Sequence, residues 1–301
     1  MAPDAAVPAP ALILAVDVGG TKLAAGLVDG EAHLAAAGRV PTPREADAGT
    51  LWQALASLVG SVAAQAPDGM LEACGVGCGG PMVDGEVSPL NIPGWRHFPL
   101  RRRLAELTSL PTFVDNDAKA LALAEGWAGA AAGRRNFAAL VVSTGVGGGL
   151  VLDGRLLDGR LGNAGHIGHV VVEPGGRPCA CGGQGCLEAE ASGTAIAAIT
   201  GRPPAAAPPD MVARCGTLVG RAVASAAALC DLDLAVVGGS VALGYGAPFF
   251  RAAQNEASSR ARLGFVAGIR VVPAGLGVDG PLVGAGAVAW RGLGVPVGEV
   301  R

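Results

Sequence analysis

Apolar residues fall into short continuous runs, and several of these runs end in glycine-rich turns. Ala11 to Val16 (ALILAV) reads as a buried strand. It runs into Asp17-Val18-Gly19-Gly20-Thr21-Lys22, after which Leu23 to Val28 resumes as a second strand and Leu34 to Val40 as a third. Phe137 to Val142 (FAALVV) repeats the arrangement: a strand, then Ser143-Thr144-Gly145-Val146-Gly147-Gly148-Gly149 as the turn, then Leu150 to Leu152. Leu232 to Val237 is another such run and stops at Gly238-Gly239-Ser240-Val241. Ala73 to Cys78 leads into Gly79-Gly80-Pro81, and Pro111 to Val114 into Asp115-Asn116-Asp117; Ile269 to Pro273 is a further strand.

Between these runs the apolar spacing changes to that of helices. Thr50 to Ala66 carries Leu51, Leu55, Leu58 and Val62 on one face, and Arg101 to Leu107 reads as a short helix. Further helices are expected over Ala118 to Ala132, from the Ser192-Gly193-Thr194 cap to Ile199, and over Met211 to Cys230, Pro248 to Arg262 and Leu282 to Trp290. Gly201 to Pro209 is a Pro/Ala connector. Strands alternating with helices place the chain in the α/β class. Val87 to Phe98 is an irregular loop with Asn91, Gly94 and Trp95; it suits either a wall for a substrate or the edge of a core.

Composition narrows the picture. The chain has 301 residues, half of them hydrophobic and 16% charged, which is enough for two modest domains or one large one. A net charge of −3 gives no basic footprint for nucleic acid. No uninterrupted apolar run reaches bilayer length, so no membrane partner is expected. MAPDAAVPAP, residues 1–10, reads as a disordered tail rather than a secretory signal, which points to a cytoplasmic protein with reduced thiols.

Three places carry chemistry. Cys179, Cys181 and Cys186 lie together in a Gly/Pro/Gln loop, ten residues and more beyond His169. Three thiolates and an imidazole complete a tetrahedral set for structural Zn²⁺, which is favoured over small buried thiols, poor core candidates in a Gly-rich loop, and over a disulfide, which a chain without a secretory signal is not expected to form. A bound imidazole has its second nitrogen held in place, so His166 and Glu188 nearby would be held with it. Asp115-Asn116-Asp117 sits at a strand end and a helix start; capping requires one such residue, so the excess marks a site, with Asp117 as the general base. The Gly-Gly hairpins offer backbone N–H groups to anions. Asp17 suits an indirect contact to Mg²⁺, and Thr21 and Lys22 offer a hydroxyl and a charge to phosphate. The third turn, Gly238-Gly239-Ser240, suits a nucleoside. Cys74, Cys78, Cys215 and Cys230 read as core thiols.

DVGGTK, the DND segment, STGVGGG, the His-then-C-x-C-x4-C loop and VVGGSV resemble, in order and spacing, the ROK family of sugar kinases, repressors and related reading frames. The resemblance covers residues 11 to 291. It implies the actin-like/hexokinase-type ATPase fold, two α/β domains around a cleft: a small N-terminal domain of residues 11–116 with about 291–301, and a larger domain of 117–290 bearing the zinc loop. It also implies an ATP-dependent hexose kinase with Mg²⁺, active as a homodimer or homotetramer. Asp117 would take the proton of the sugar 6-hydroxyl, and Gly80, Asn91, Asn116, His166, His169 and Glu188 would meet the sugar. Gly19, Gly20, Thr21 and Lys22, together with Thr144, Gly145, Gly147 and Gly148, would hold the phosphates; Gly238, Gly239 and Ser240 would hold the nucleoside. A sugar-binding regulator of the same family is the alternative, but about ten residues precede the first strand, far short of a DNA-binding module. The family's glucokinase-like pattern has Glu-x-Gly-His where this chain has His166-Ile167-Gly168-His169. A neutral histidine can donate as well as accept, so it is expected to donate to the carbonyl of a 2-acetamido group. The same spelling, and His97 to Leu100 (HFPL), resemble bacterial N-acetylmannosamine kinases; glucose is the other hexose considered.

Overall fold

The computed structural model describes residues 11–43, 47–89 and 92–298; the tail at 1–10 and Asn91 lie outside the described residues. The first half of the chain forms β1 (Leu12–Val18), β2 (Lys22–Asp29), β3 (Leu34–Pro41), α1 (Ala48–Ala63) and β4 (Leu71–Cys78). A small hairpin of β5 (Met82–Val83) and β6 (Glu86–Val87) follows, then α2 (Leu100–Thr108), β7 (Thr112–Asn116) and α3 (Asp117–Ala128). The second half contains β8 (Phe137–Val142), β9 (Val146–Leu152), β10 (Arg155–Leu156), α4 (Leu187–Ala191), α5 (Gly193–Thr200) and α6 (Pro209–Cys230). It closes with β11 (Leu234–Gly238), α7 (Ser240–Tyr245), α8 (Ala247–Arg260), β12 (Arg270–Pro273) and α9 (Gly280–Gly292).

The strands make two five-stranded sheets with one plan. The first runs β3-β2-β1-β4-β7 and the second β10-β9-β8-β11-β12. In each, an antiparallel meander supplies three strands and two more join in parallel after helical crossovers. The repeated strand–turn–strand pattern in the sequence is this duplication. Alternation along β1 shows why its apolar run is unbroken: Leu12, Leu14 and Val16 join the core beneath α1 and α2, whereas Ile13 and Ala15 face the opposite side. A strand buried on both faces needs no polar position.

Helices α3 and α9 lie between the sheets. One cluster combines Ile13 and Ala73 of the first sheet, Leu121 and Leu123 of α3, Phe137 and Val151 of the second sheet, and Ala287 and Val288 of α9. The outer face of the second sheet is covered by α6 and α8, with Leu218, Val219, Phe249 and Ala253 in its core. Helix α6 is long and apolar enough to cross a membrane by length and composition alone, yet half of it is buried within the fold. Its Arg214 and Arg221 pair with Glu190, Glu173 and Glu256.

Several expectations change. Helix α3 ends at Ala128 rather than Ala132, because Gly129 turns extended and Glu125, fully buried, accepts the Ala130 N–H at 2.7 Å. Gly147, Gly148 and Gly149 belong to β9, not to a turn. Gly147 and Gly149 are small because α3 crosses them, a Cβ on Gly149 lying 2.9 Å from both Ala122 Cβ and Lys119 Cα, whereas a Cβ on Gly148, on the other face, would meet Ile167 and the Gly165 carbonyl. The turn proper is Ser143-Thr144-Gly145, closed by Ser143 N–H donating to the Gly145 carbonyl. Ser240 and Val241 start α7 rather than extending the glycine turn. Trp95 is no substrate wall: it is fully buried, stacks on Phe98 with centroids 4.1 Å apart, and closes the core edge. Cys74, Cys78 and Cys215 are core thiols, and Cys230 is half-buried.

Candidate active site

The two sheets aim their strand ends at one cleft of about 790 Å³. In the first sheet, Asp17 aligns with Gly77 of β4, and Gly77 with Asp115 of β7. The residues just beyond these positions, Gly19 to Lys22, Gly79-Gly80 and Asn116-Asp117, therefore emerge side by side. In the second sheet, Val141 aligns with Gly238, which brings the Ser143 turn beside Gly239 and Ser240. Gly239 has φ +95°, and a Cβ there would stand 2.3 Å from the Val142 carbonyl oxygen, so this crossing admits only glycine. Each expected sugar- and nucleotide-facing residue within the described set lines this cleft.

Asp115, Asn116 and Asp117 divide their work. Asp115 pairs at 2.9 Å with Lys119, one turn on and 1% exposed, and so points away from the cleft. Asn116 is the N-cap of α3, its Oδ1 accepting from Ala118 N–H at 3.0 Å, and its Nδ2 donates to the Gly80 carbonyl at 3.5 Å. Asp117 shares the Ala118 N–H, through Oδ1 at 2.9 Å, and lines the cleft. A Cβ on Gly79 would be 3.4 Å from its Oδ2, and one on Gly147 3.9 Å from its Oδ1, so the carboxylate stands between the first sheet and β9. Glu188, at the start of α4, accepts the Val146 N–H at 2.9 Å and faces the same space.

Burial pushes the Asp117 carboxyl above the usual carboxylate range; the Ala118 N–H and His166 pull it back, and Glu188 adds to the rise. Burial also carries Asp17 up to about 7, with Asp117 reinforcing the rise and Lys22 and Arg39 opposing it. Two carboxylates held this close in a desolvated cleft form a site that favours a cation or a proton donor.

The hairpin turns are braced from outside. Thr42 donates from Oγ1 to the Gly19 carbonyl at 2.7 Å and from N–H to the Thr21 carbonyl at 3.0 Å. Gly193 N–H, at the start of α5, donates to the Ser143 carbonyl at 2.7 Å, and Thr194 donates from Oγ1 to the Thr144 carbonyl at 2.9 Å. Ser143 Oγ and Ser240 Oγ are 2.9 Å apart, joining the second and third turns.

The four loop ligands converge. His169, Cys179, Cys181 and Cys186 place their ligand atoms within 4.8 Å of one another. Sγ of Cys181 is 3.8 Å from Sγ of Cys186, far beyond a disulfide bond. A tetrahedron with metal–sulfur bonds of about 2.3 Å has edges of about 3.8 Å, so the spacing is that of a four-coordinate centre. Burial and the neighbouring Cys179 and Cys181 push the Cys186 thiol up to about 12, a cost that a bound divalent ion would remove.

His166 changes one expectation. Its Nδ1 lies 2.9 Å from the Asn163 carbonyl oxygen, which can only accept. In the neutral ring the proton therefore sits on Nδ1 and Nε2 is left as an acceptor, rather than the donor anticipated from its chemistry alone. The sequence reading also missed parts of the cleft. Gly277, Val278 and Pro281 form a wall at the start of α9, and Thr194, Ala198 and Leu243 form another. The Gly-Leu-Gly-Val-Asp-Gly-Pro turn at 275–281 was the available signal for the first; nothing in the spacing marked the second.

A family model described as ROK family matches residues 13–291. N-acetylmannosamine kinase of Citrobacter koseri is 40% identical over 248 residues, covering 77% of this chain and 84% of that protein. The ROK hexokinase of Thermus thermophilus superposes with a TM-score of 0.79 at 37% identity, over 94% of this chain and 99% of the other. A ROK family glucokinase of Streptomyces griseus, solved with glucose and AMPPNP, gives a TM-score of 0.82 at 30% identity over 93% and 99%. With these matches the fold is the actin-like, hexokinase-type ATPase fold expected from the motifs, and the chain belongs to the ROK family.

Proposed function

We propose that this chain, a sugar kinase of the ROK family, transfers the γ-phosphate of ATP to the 6-hydroxyl of an N-acylated hexosamine of the N-acetylmannosamine kind. The observation that carries the reading is Asp117: Asp115 takes the ion pair, Asn116 shares the cap, and Asp117 stands as a buried carboxylate between the two glycine hairpins. Asp117 accepts the proton of the hydroxyl as that oxygen attacks phosphorus, which is the one proton transfer phosphoryl transfer requires. Asn116, Glu188 and His169 hold other sugar oxygens, and the bend at Gly80 shapes the wall beside them.

His166 favours the N-acylated acceptor. Its Nε2 accepts the acetamido N–H, and a neutral ring does not repel the acetamido carbonyl as a carboxylate would. The turns at Gly19 to Lys22 and at Thr144 to Gly148, with the Lys22 charge, embrace the phosphates, and Gly238 to Ser240 meet the nucleoside. Mg²⁺ arriving with the nucleotide would be met by Asp17, directly or through water, and would neutralise charge on the transferring group. Zn²⁺ on His169, Cys179, Cys181 and Cys186 would cross-link a loop that has little core of its own. We read the two sheets as the small and large lobes, with the chain returning to the small lobe at α9, and a homodimer or homotetramer as the working form.

The test is ADP release with Mg-ATP across N-acetylmannosamine, N-acetylglucosamine, glucose, mannose and unacetylated aminohexoses. The expected result is the highest kcat/KM for N-acetylmannosamine, with a 6-phosphate product by NMR. A preference for glucose would reassign the acceptor, and no turnover of any hexose would overturn the kinase reading.

A further inference from the structure

Asn163 lies in the loop between β10 and the short helical turn Ile167–His169, and none of the roles above uses it. Its side-chain amide reaches Met82, the residue after the cleft-lining Gly79-Gly80-Pro81. Oδ1 accepts from the Met82 N–H at 3.3 Å, while Nδ2 donates to the Met82 carbonyl at 3.1 Å and to the Leu161 carbonyl at 2.9 Å. Met82 belongs to the first sheet's core. Strand β5 pairs with β6 along one edge, and Asn163 satisfies both backbone groups of Met82 on the other, much as a neighbouring strand would.

The same residue's backbone carbonyl is the acceptor for His166 Nδ1. The loop is fixed at its other end by Lys119, which donates to the Gly162 carbonyl at 3.0 Å and pairs with Asp158 at 2.9 Å. Arg291 of α9 pairs with Asp158 at 2.8 Å. Loop 158–166 is thus tied to the base-bearing helix α3, to α9 and, through Asn163, to the β5–β6 hairpin that follows Gly79-Gly80-Pro81.

We propose that Asn163 is a positioning residue, a latch that holds the acceptor end of the cleft closed and sets His166 for the acceptor in the same stroke. It rests on the kinase reading given above. An amide is required because Met82 and Leu161 present one donor and two acceptors; an aspartate would put a carboxylate against two carbonyl oxygens.

Asn163→Asp tests it, since the variant keeps the Met82 N–H contact and the His166 bond while losing both donated bonds. The expected result is a rise of about tenfold in the hexose KM, with the ATP KM changed less than about twofold and the melting temperature unchanged. Small-angle scattering of the ligand-free variant should show a larger radius of gyration than the parent. An unchanged hexose KM with an unchanged radius overturns the latch. So does a joint rise of both KM values with a fall in melting temperature, which marks a merely structural residue. If the parent turns over no hexose, the kinase reading fails, and the scattering comparison still decides the latch on its own.

Discussion

Nδ1 of His169 stands 3.7 Å from Sγ of Cys179, so the ring turns one nitrogen to the thiols and leaves Nε2 for the cleft that His169 lines. In the proposed function the metal loop and the acceptor site share this one side chain. Losing the ion should therefore do two things at once: loosen the loop and misplace a sugar contact.

Cys181→Ala should yield protein without bound zinc by elemental analysis, with a lower melting temperature than the parent. Its hexose affinity by calorimetry should fall by about tenfold or more, the scale typical of disturbed ligand support. A zinc-free variant that binds hexose as the parent does would show that the cluster and the sugar site are independent.

His166→Glu exchanges an imidazole for a carboxylate, next to Asp117 and, in the proposed function, beside the acetamido group of the substrate. Glutamate can still accept the acetamido N–H but repels the acetamido oxygen. The ratio of kcat/KM for N-acetylmannosamine to that for glucose should fall by about tenfold. An unchanged ratio would mean that His166 does not read the acetamido group.

Asp17 ties pH to stability. Its carboxyl is raised from 3.8 to about 7, chiefly by burial, so the folded chain holds a proton there that the unfolded chain gives up. The contribution is fully present below pH 3.8 and is lost as pH rises through about 7. Asp17→Asn abolishes the cost of ionising a buried group. In protein free of metal and nucleotide, the variant should out-melt the parent at pH 8, by up to about 4 kcal/mol in stability. The gap should close as the pH is lowered towards that of an ordinary carboxylate. A difference that does not vary with pH would contradict the assignment.

Much of this was legible in the sequence because the informative features are local. Each buried strand is an apolar run ended by glycine, and the order Asp115-Asn116-Asp117 exceeds what a cap needs. The cluster of His169, Cys179, Cys181 and Cys186 announces itself by spacing. What stayed hidden depends on distant backbone. Gly147 to Gly149 look like a turn until α3 is laid across one face of β9 and the Gly165–Ile167 turn across the other. The tautomer of His166 is set by a carbonyl three residues back, whose position depends on a fold-wide contact between Asn163 and Met82. Trp95 offered either a substrate wall or a core edge, and only packing against Phe98 could decide between them. Short helices such as α4 and α7 are too brief for apolar periodicity to register.

The central claim is that Asp117 is the base. Asp117→Asn keeps an acceptor for the Ala118 N–H, so the fold and the start of α3 should survive. The decisive measurement is kcat of this variant beside its hexose affinity. The account predicts a loss of about 10²- to 10⁴-fold in kcat, with hexose binding by calorimetry within about threefold of the parent. Turnover near that of the parent would contradict it.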